Sequence, residues 1–229
     1  MTDTGAAERG IDAVVFDFDG TMLDTETPYF RAWSEAYTEH GLELTVEEWS
    51  TCLGTHGGFD PLEDLAAKGA EFDPDDLWDR MRARKDELTD VDTLLPGIRE
   101  WIQEAGQLGL AIAVASSSTH DWVNGHLTRL ALADRFGHVS CREEGVPAKP
   151  APDLYLRACE ALGVHPTRAI AIEDSPNGVT AAKAAGMYCI AVPHALTASL
   201  DLGAADLIFP SLARRPLERV IADLTSNSV

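Results

Sequence analysis

The chain has 229 residues, 45% of them hydrophobic, which suits one large domain or a core with a small insert and excludes a disordered chain. Acidic residues number 38 against 18 basic ones, a net charge of −20. A surface that negative repels nucleic acid and anionic membranes, so the expected partner is a small molecule, and a site for an anionic one must carry local positive charge.

Met1–Gly10 is small and polar and contains no apolar signal region. The longest apolar runs, such as Leu110–Ala115, are too short to span a bilayer. Cys52, Cys141, Cys159 and Cys189 are scattered without CxxC spacing and read as buried free thiols. Together these features predict a cytoplasmic protein with no membrane partner. The oligomeric state is not readable.

Ile11–Asp17 is a short apolar run ending in an acid and predicts a strand. From residue 27 to 89 the pattern is helical, with Tyr29, Phe30, Trp33 and Tyr37 at helical spacing, then Trp78, Met81 and Leu88. Gly54, Gly57, Gly58, Pro61 and Pro74 break this stretch into short pieces. It also carries much of the acidity, with 17 acidic and 6 basic residues between positions 26 and 90, a net of −11. After Leu95-Pro96-Gly97 helices and strands alternate: helix 98–108, strand 111–116, helix 121–132, a short strand 138–141, helix 151–162, strand 169–173, helix 177–185, strand 188–192, a weak strand 206–209 and a last helix 217–224. Such alternation predicts an α/β fold, a doubly wound parallel sheet of Rossmann-like type. The helical stretch is then an insert, giving a discontinuous core of residues 1–24 and 92–229 and a helical cap of residues 25–91.

Open α/β sheets bind ligands beyond the carboxyl ends of their strands. Those ends carry Asp17-Phe18-Asp19-Gly20-Thr21, Ser116-Ser117-Ser118, Lys149-Pro150 after the short strand, and Glu173-Asp174-Ser175. Alone, Asp-Gly is a turn signal and a serine run is a loop or a helix cap. The convergence of carboxylates, hydroxyls and one ammonium on one edge is what points to chemistry. Residues two apart on a strand face the same way, so Asp17 and Asp19 start close and need a counter-charge. A hard cation bound by oxygen supplies it, and Mg²⁺ suits few carboxylates plus a substrate phosphate. Asp174 would complete the ligand set, and Lys149 would pair with Asp17 and the phosphate. Ser116, with Ser117 beside it, would hold phosphate oxygens. Gly20 permits a sharp turn, and Thr21 offers a further donor.

DFDGTMLD, VASSS, AKPAPDLY and IEDSPNGVTAAKAAG resemble the four motifs of the haloacid dehalogenase-like hydrolase superfamily, from about residue 12 to residue 192. The insert resembles the small helical cap of the branch that holds β-phosphoglucomutase and sugar-phosphate phosphatases. The resemblance implies that Asp17 is the nucleophile of an aspartyl-phosphate and that Asp19 is the general acid, then the base for water. It implies Mg²⁺ held by Asp17, the Asp19 carbonyl and Asp174, with Glu173 in support, and phosphate held by Ser116 and Lys149.

Asp19 argues against dehalogenation, which protonates no leaving oxygen. Gly57 falls where phosphonoacetaldehyde hydrolase looks to have its lysine. Tyr29 stands where β-phosphoglucomutase shows a histidine, and that enzyme's cap arginine has no counterpart here. Glu26, Tyr29, Thr55 and His56 are the candidate substrate contacts, and Lys85 resembles a cap lysine that can face the site. The expected function is Mg²⁺-dependent hydrolysis of a small phosphate monoester, such as a sugar or polyol phosphate. A phosphosugar mutase is the alternative, and a non-catalytic phospho-ligand binding protein is a third.

Overall fold

The computed structural model describes residues 10–50, 59–89 and 93–226. Six strands form one sheet: β1 (Ala13–Phe16), β2 (Ala111–Ala115), β3 (His138–Ser140), β4 (Ala169–Glu173), β5 (Tyr188–Ala191) and β6 (Leu207–Ile208). Every pairing is parallel and the order is β3-β2-β1-β4-β5-β6. The expected strands are all present, and most end a residue or two earlier than the apolar runs suggest. Successive strands are added to one side of β1 up to β3 and to the other side from β4 on, so the loops after β1 and β4 part and leave a crevice there.

The residues of the sheet segregate by size. Val14, Phe16, Ile112, Val114, Ile170, Ile172 and Ile190 point to one face. Ala13, Val15, Ala113, Ala115, Ala169, Ala171, Cys189 and Ala191 point to the other. Alternation is forced by the two-residue period of a strand. The bulky face packs against α5 (Ile98–Gln107), α6 (His120–Arg129) and α9 (Leu217–Ser226) of the nine helices among the described residues. On the alanine face lie α7 (Asp153–Leu162) and α8 (Pro176–Ala184), themselves rich in small residues. Cys141, Cys159 and Cys189 are buried and free, and Cys52 lies outside the described residues.

Four helices follow β1: α1 (Glu26–Glu39), α2 (Val46–Ser50), α3 (Pro61–Ala67) and α4 (Pro74–Leu88). Pro61 and Pro74 divide the helical stretch as the sequence suggests, each opening a new helix capped by the side-chain oxygen of Asp60 or Asp73. Thr45 and Glu48 form a reciprocal capping box before α2. The aromatic stripe is core: Trp33, Tyr37 and Trp49 are buried with Leu65, Leu77 and Met81. Leu196, from the segment after β5, joins this cluster and docks the insert on the sheet domain. The chain's departure and return are tied together by the Leu95 N–H on the Met22 carbonyl at 2.9 Å. No described helix is long and apolar enough to cross a membrane.

Gly97 opens α5 with φ of 95°. A Cβ there would lie 2.3 Å from the Ala213 nitrogen and 2.5 Å from the Leu212 carbonyl carbon, both backbone atoms. Gly97→Ala therefore combines left-handed strain with a clash that no rotamer relieves, at an expected cost of about 2–4 kcal/mol. Urea denaturation measures it, and an unchanged midpoint would contradict the tight packing of this turn.

Candidate active site

Asp17 follows β1 directly, its N–H bound to the Ile172 carbonyl at 2.9 Å. Beyond it Gly20 adopts φ of 79° and the chain folds back, with the Met22 N–H on the Phe18 carbonyl. The turn must be bare, since a Cβ on Gly20 would sit 2.6 Å from Asp174 Oδ2. Strand β4 delivers Glu173, fully buried, and then Asp174. Helix α8 begins immediately, capped by Ser175, whose hydroxyl accepts the Gly178 N–H. Gly178 makes room for Glu173, because a Cβ there would lie 1.9 Å from that carboxylate.

Lys149 reaches into this cluster from the loop after β3 and is itself buried. Its ammonium donates to Asp17 Oδ1 and, at 2.6 Å, to Glu173 Oε1. The Tyr155 hydroxyl donates to the same Glu173 oxygen at 2.6 Å. Carboxylate oxygens of Asp17, Glu173 and Asp174 lie within 4.8 Å of one another. Burial lifts the Asp17 pKa well above the usual carboxylate range, against the pull of Lys149 and with the push of Glu173 and Asp174. Burial likewise raises Asp174, opposed by its contact with His194. Burial works against the charge on Lys149, but the carboxylates of Asp17 and Glu173 outweigh it and raise its pKa.

Asp19 has a separate set of partners. Its Oδ2 accepts from the Ser118 hydroxyl at 2.6 Å and from Ser116 at 3.4 Å. Its Oδ1 accepts from the Trp122 indole at 2.9 Å and from Thr25 at 3.0 Å. Ser116 Oγ in turn accepts the Ser118 N–H at 3.0 Å, which braces the loop after β2. The two aspartates thus leave the same strand end for different environments.

Both face a cavity of about 680 Å³ between sheet domain and insert. Of the residues expected at the site, Asp17, Asp19, Ser116, Ser117, Lys149, Asp174, Glu26, Tyr29 and Lys85 line it. Gly20 and Thr21 are not on its wall. Thr21 is buried, and its hydroxyl donates to Asp174 Oδ1 at 3.4 Å, so here it orders a carboxylate. Glu173 also stands back from the wall and holds Lys149. Thr55 and His56 lie outside the described residues. Burial, with the nearby charges of Asp174 and Asp19, raises the pKa of Glu26 to about 7.

Sequence reasoning missed Thr25, Ser118, Trp122, Tyr155 and His194. Three of them lie inside or beside quoted motifs: Thr25 just after DFDGTMLD, Ser118 in VASSS, Tyr155 in AKPAPDLY. His194, whose Nε2 lies 3.0 Å from Asp174 Oδ2, and Trp122 carry no pattern that marks them.

The geometry has clear relatives. The family model for haloacid dehalogenase-like hydrolases matches residues 11–186. YhcW of Bacillus subtilis, which carries a phosphatase name, is 37% identical over 219 residues, 95% of this chain and all of that protein. Hexitol phosphatase B of Escherichia coli is 34% identical, covering 81% of this chain and 85% of its own. Among solved structures, CbbY of Rhodobacter sphaeroides in complex with phosphate has a TM-score of 0.68 at 31% identity, over 89% of this chain and 95% of that one. With four matching motifs, a Rossmann-like sheet and these relatives, the chain belongs to the haloacid dehalogenase-like hydrolases and is an enzyme of their phosphatase branch.

Proposed function

We propose that the protein is a Mg²⁺-dependent phosphatase of small phosphate monoesters, sugar or polyol phosphates, that works through an aspartyl-phosphate on Asp17. The observation that carries this reading is the division of labour between the two aspartates. Asp17 sits in a buried cluster of three carboxylates and one ammonium, whereas Asp19 stands apart on neutral donors at the cavity wall. The names of two relatives fit it, a hexitol phosphatase and a CbbY solved with phosphate and with xylulose-(1,5)bisphosphate.

The donor set suits a hard divalent cation. Three buried carboxylates converge with every ligand atom an oxygen, and a divalent cation can take the place of the protons that burial favours on Asp17 and Asp174. Asp17, Asp174 and the Asp19 carbonyl would hold Mg²⁺, with Glu173 in support. When bound, the ion offsets negative charge on the phosphoryl oxygens and on the nucleophile. Lys149 holds Asp17 in place and pairs with a phosphate oxygen. Ser116 and Ser117 donate to the others. The Asp17 carboxylate attacks phosphorus as the ester bond breaks, and Asp19 passes a proton to the departing oxygen. Asp19 then takes a proton from the water that cleaves the aspartyl-phosphate. Residues 25–91 act as a cap that shields this sequence from bulk water, with Glu26 and Tyr29 facing the alcohol portion of the substrate.

The test is phosphate release from p-nitrophenyl phosphate and a panel of sugar and polyol phosphates. The wild type should turn over with Mg²⁺ and stop with chelator, and Asp17→Asn should lose about 10³-fold or more. A wild type inert across the panel contradicts the reading. Rapid conversion of β-glucose 1-phosphate to the 6-phosphate with a bisphosphate activator, far above hydrolysis, would select the mutase instead.

The raised carboxylates give a second prediction. Asp17 and Asp174 keep protons in the folded metal-free protein that the unfolded chain has lost. Their contribution to stability is therefore full below the unfolded pKa of about 4 and is lost as pH rises through the folded values. A cation at this cluster offsets that loss, so the rise in Tm on adding Mg²⁺ should be larger at about pH 8 than at about pH 5. Scanning calorimetry measures both. Equal increments would place the cation elsewhere.

A further inference from the structure

Trp122 holds a position that neither the family motifs nor the proposed chemistry account for. It lies in the first turn of α6, lines the cavity, and gives its indole N–H to Asp19 Oδ1 at 2.9 Å. An indole N–H only donates, so this contact can fix the rotation of a carboxylate but cannot take a proton from it. The ring is braced from two sides. On the sheet domain the buried His126 meets it edge-on, with centroids 4.2 Å apart, and His126 rests in turn on Phe18, between the two aspartates in sequence. From the insert, Lys85 of α4 places its ammonium 4.1 Å from the Trp122 ring centroid.

Lys85 differs from the three insert cations that are held in close ion pairs. Lys68, Arg80 and Arg84 are paired with carboxylates at 3.0 Å or less. Lys85 has the exposed Asp86 at 3.6 Å, a looser pairing, and the centroid of the Trp122 ring at 4.1 Å. A cation over the face of tryptophan is attracted by the ring quadrupole, most strongly where water is thinned. The cation of the insert therefore bears on the ring whose far edge aims Asp19.

We infer that Trp122 is a positioning residue for Asp19, and that Lys85 seats it, so that the placement of the helical insert sets the aim of the carboxylate that moves the proton. The assignment rests on Asp19 as the acid of the proposed phosphatase. It gives α4 a role beyond enclosing the substrate: with the insert swung away, Trp122 loses one of its two braces and Asp19 one of its restraints.

The test has an arm that needs no catalysis. In ¹⁵N-labelled protein the Trp122 indole resonance is assigned by its absence in Trp122→Phe. It should shift in Asp19→Ala and in Lys85→Met, and an unmoved resonance in either variant overturns the corresponding contact. The second arm uses leaving groups. An alkyl phosphate needs a proton on its departing oxygen, whereas p-nitrophenolate leaves readily without one. Trp122→Phe keeps a ring but removes the N–H, so kcat on a hexitol phosphate should fall about tenfold or more, with at most a third of that loss on p-nitrophenyl phosphate. Lys85→Met should lower kcat with the same bias, and the double variant should add little to Trp122→Phe. Equal losses on both esters in Trp122→Phe overturn the role of Trp122. A raised KM at unchanged kcat in Lys85→Met assigns Lys85 to substrate and overturns its part. If the wild type hydrolyses no ester while the resonance responds as expected, the phosphatase reading fails and the contact geometry stands.

Discussion

A buried ammonium among buried carboxylates is the constraint on which this site depends. Lys149 comes from a loop, Asp17 and Glu173 from two neighbouring strands, and each is almost fully removed from water. Charges taken out of water are costly unless paired and hydrogen-bonded, so none of the three is tolerable without the others. Tyr155 and Ser175 take up further capacity of Glu173, and Gly178 supplies the space. Asp174, the third carboxylate of the cluster, is met by His194 at 3.0 Å rather than by Lys149.

The sheet explains why these groups meet at all. Phe16 pairs in register with Ile172 on one side and Val114 on the other, so the three strands end together. Alternation of large and small residues then assigns each face its helices, and α8 starts directly beneath Glu173. From the same strand end the bare Gly20 turn sends Asp19 away from Lys149 toward Ser118, Thr25 and Trp122. Two identical side chains two residues apart thereby acquire different electrostatic surroundings.

Among the described residues, the helical insert is joined to this arrangement at several points. Leu196 belongs to its core, the Leu95–Met22 hydrogen bond closes the chain crossing, and Lys85 lies over Trp122. Three of its cations, Lys68, Arg80 and Arg84, are held in ion pairs among its own helices, as with Arg84 and Glu35 between α4 and α1. Among the described residues of the insert, the basic ones that line the cavity are Arg82 and Lys85.

By itself the sequence determined the parallel sheet, the helical insert and the motif residues. These are local features: alternation of apolar positions, a helix start at Ser175-Pro176, and chemically distinctive side chains at successive strand ends. Boundaries shifted by a residue or two because strand ends depend on pairing, as with β1 ending at Phe16. Pro61 and Pro74 divide the helical stretch as expected, each at the first position of a new helix after a capping aspartate. What only the tertiary structure decided is which donor meets which acceptor. Thr21 turns to Asp174, His194 arrives from beyond β5, and Trp122 reaches Asp19 across 103 positions of sequence. A tryptophan or histidine in a helix or loop has no periodicity that reveals a distant partner. Its role is set by packing against residues far along the chain, and packing exists only once the chain has folded.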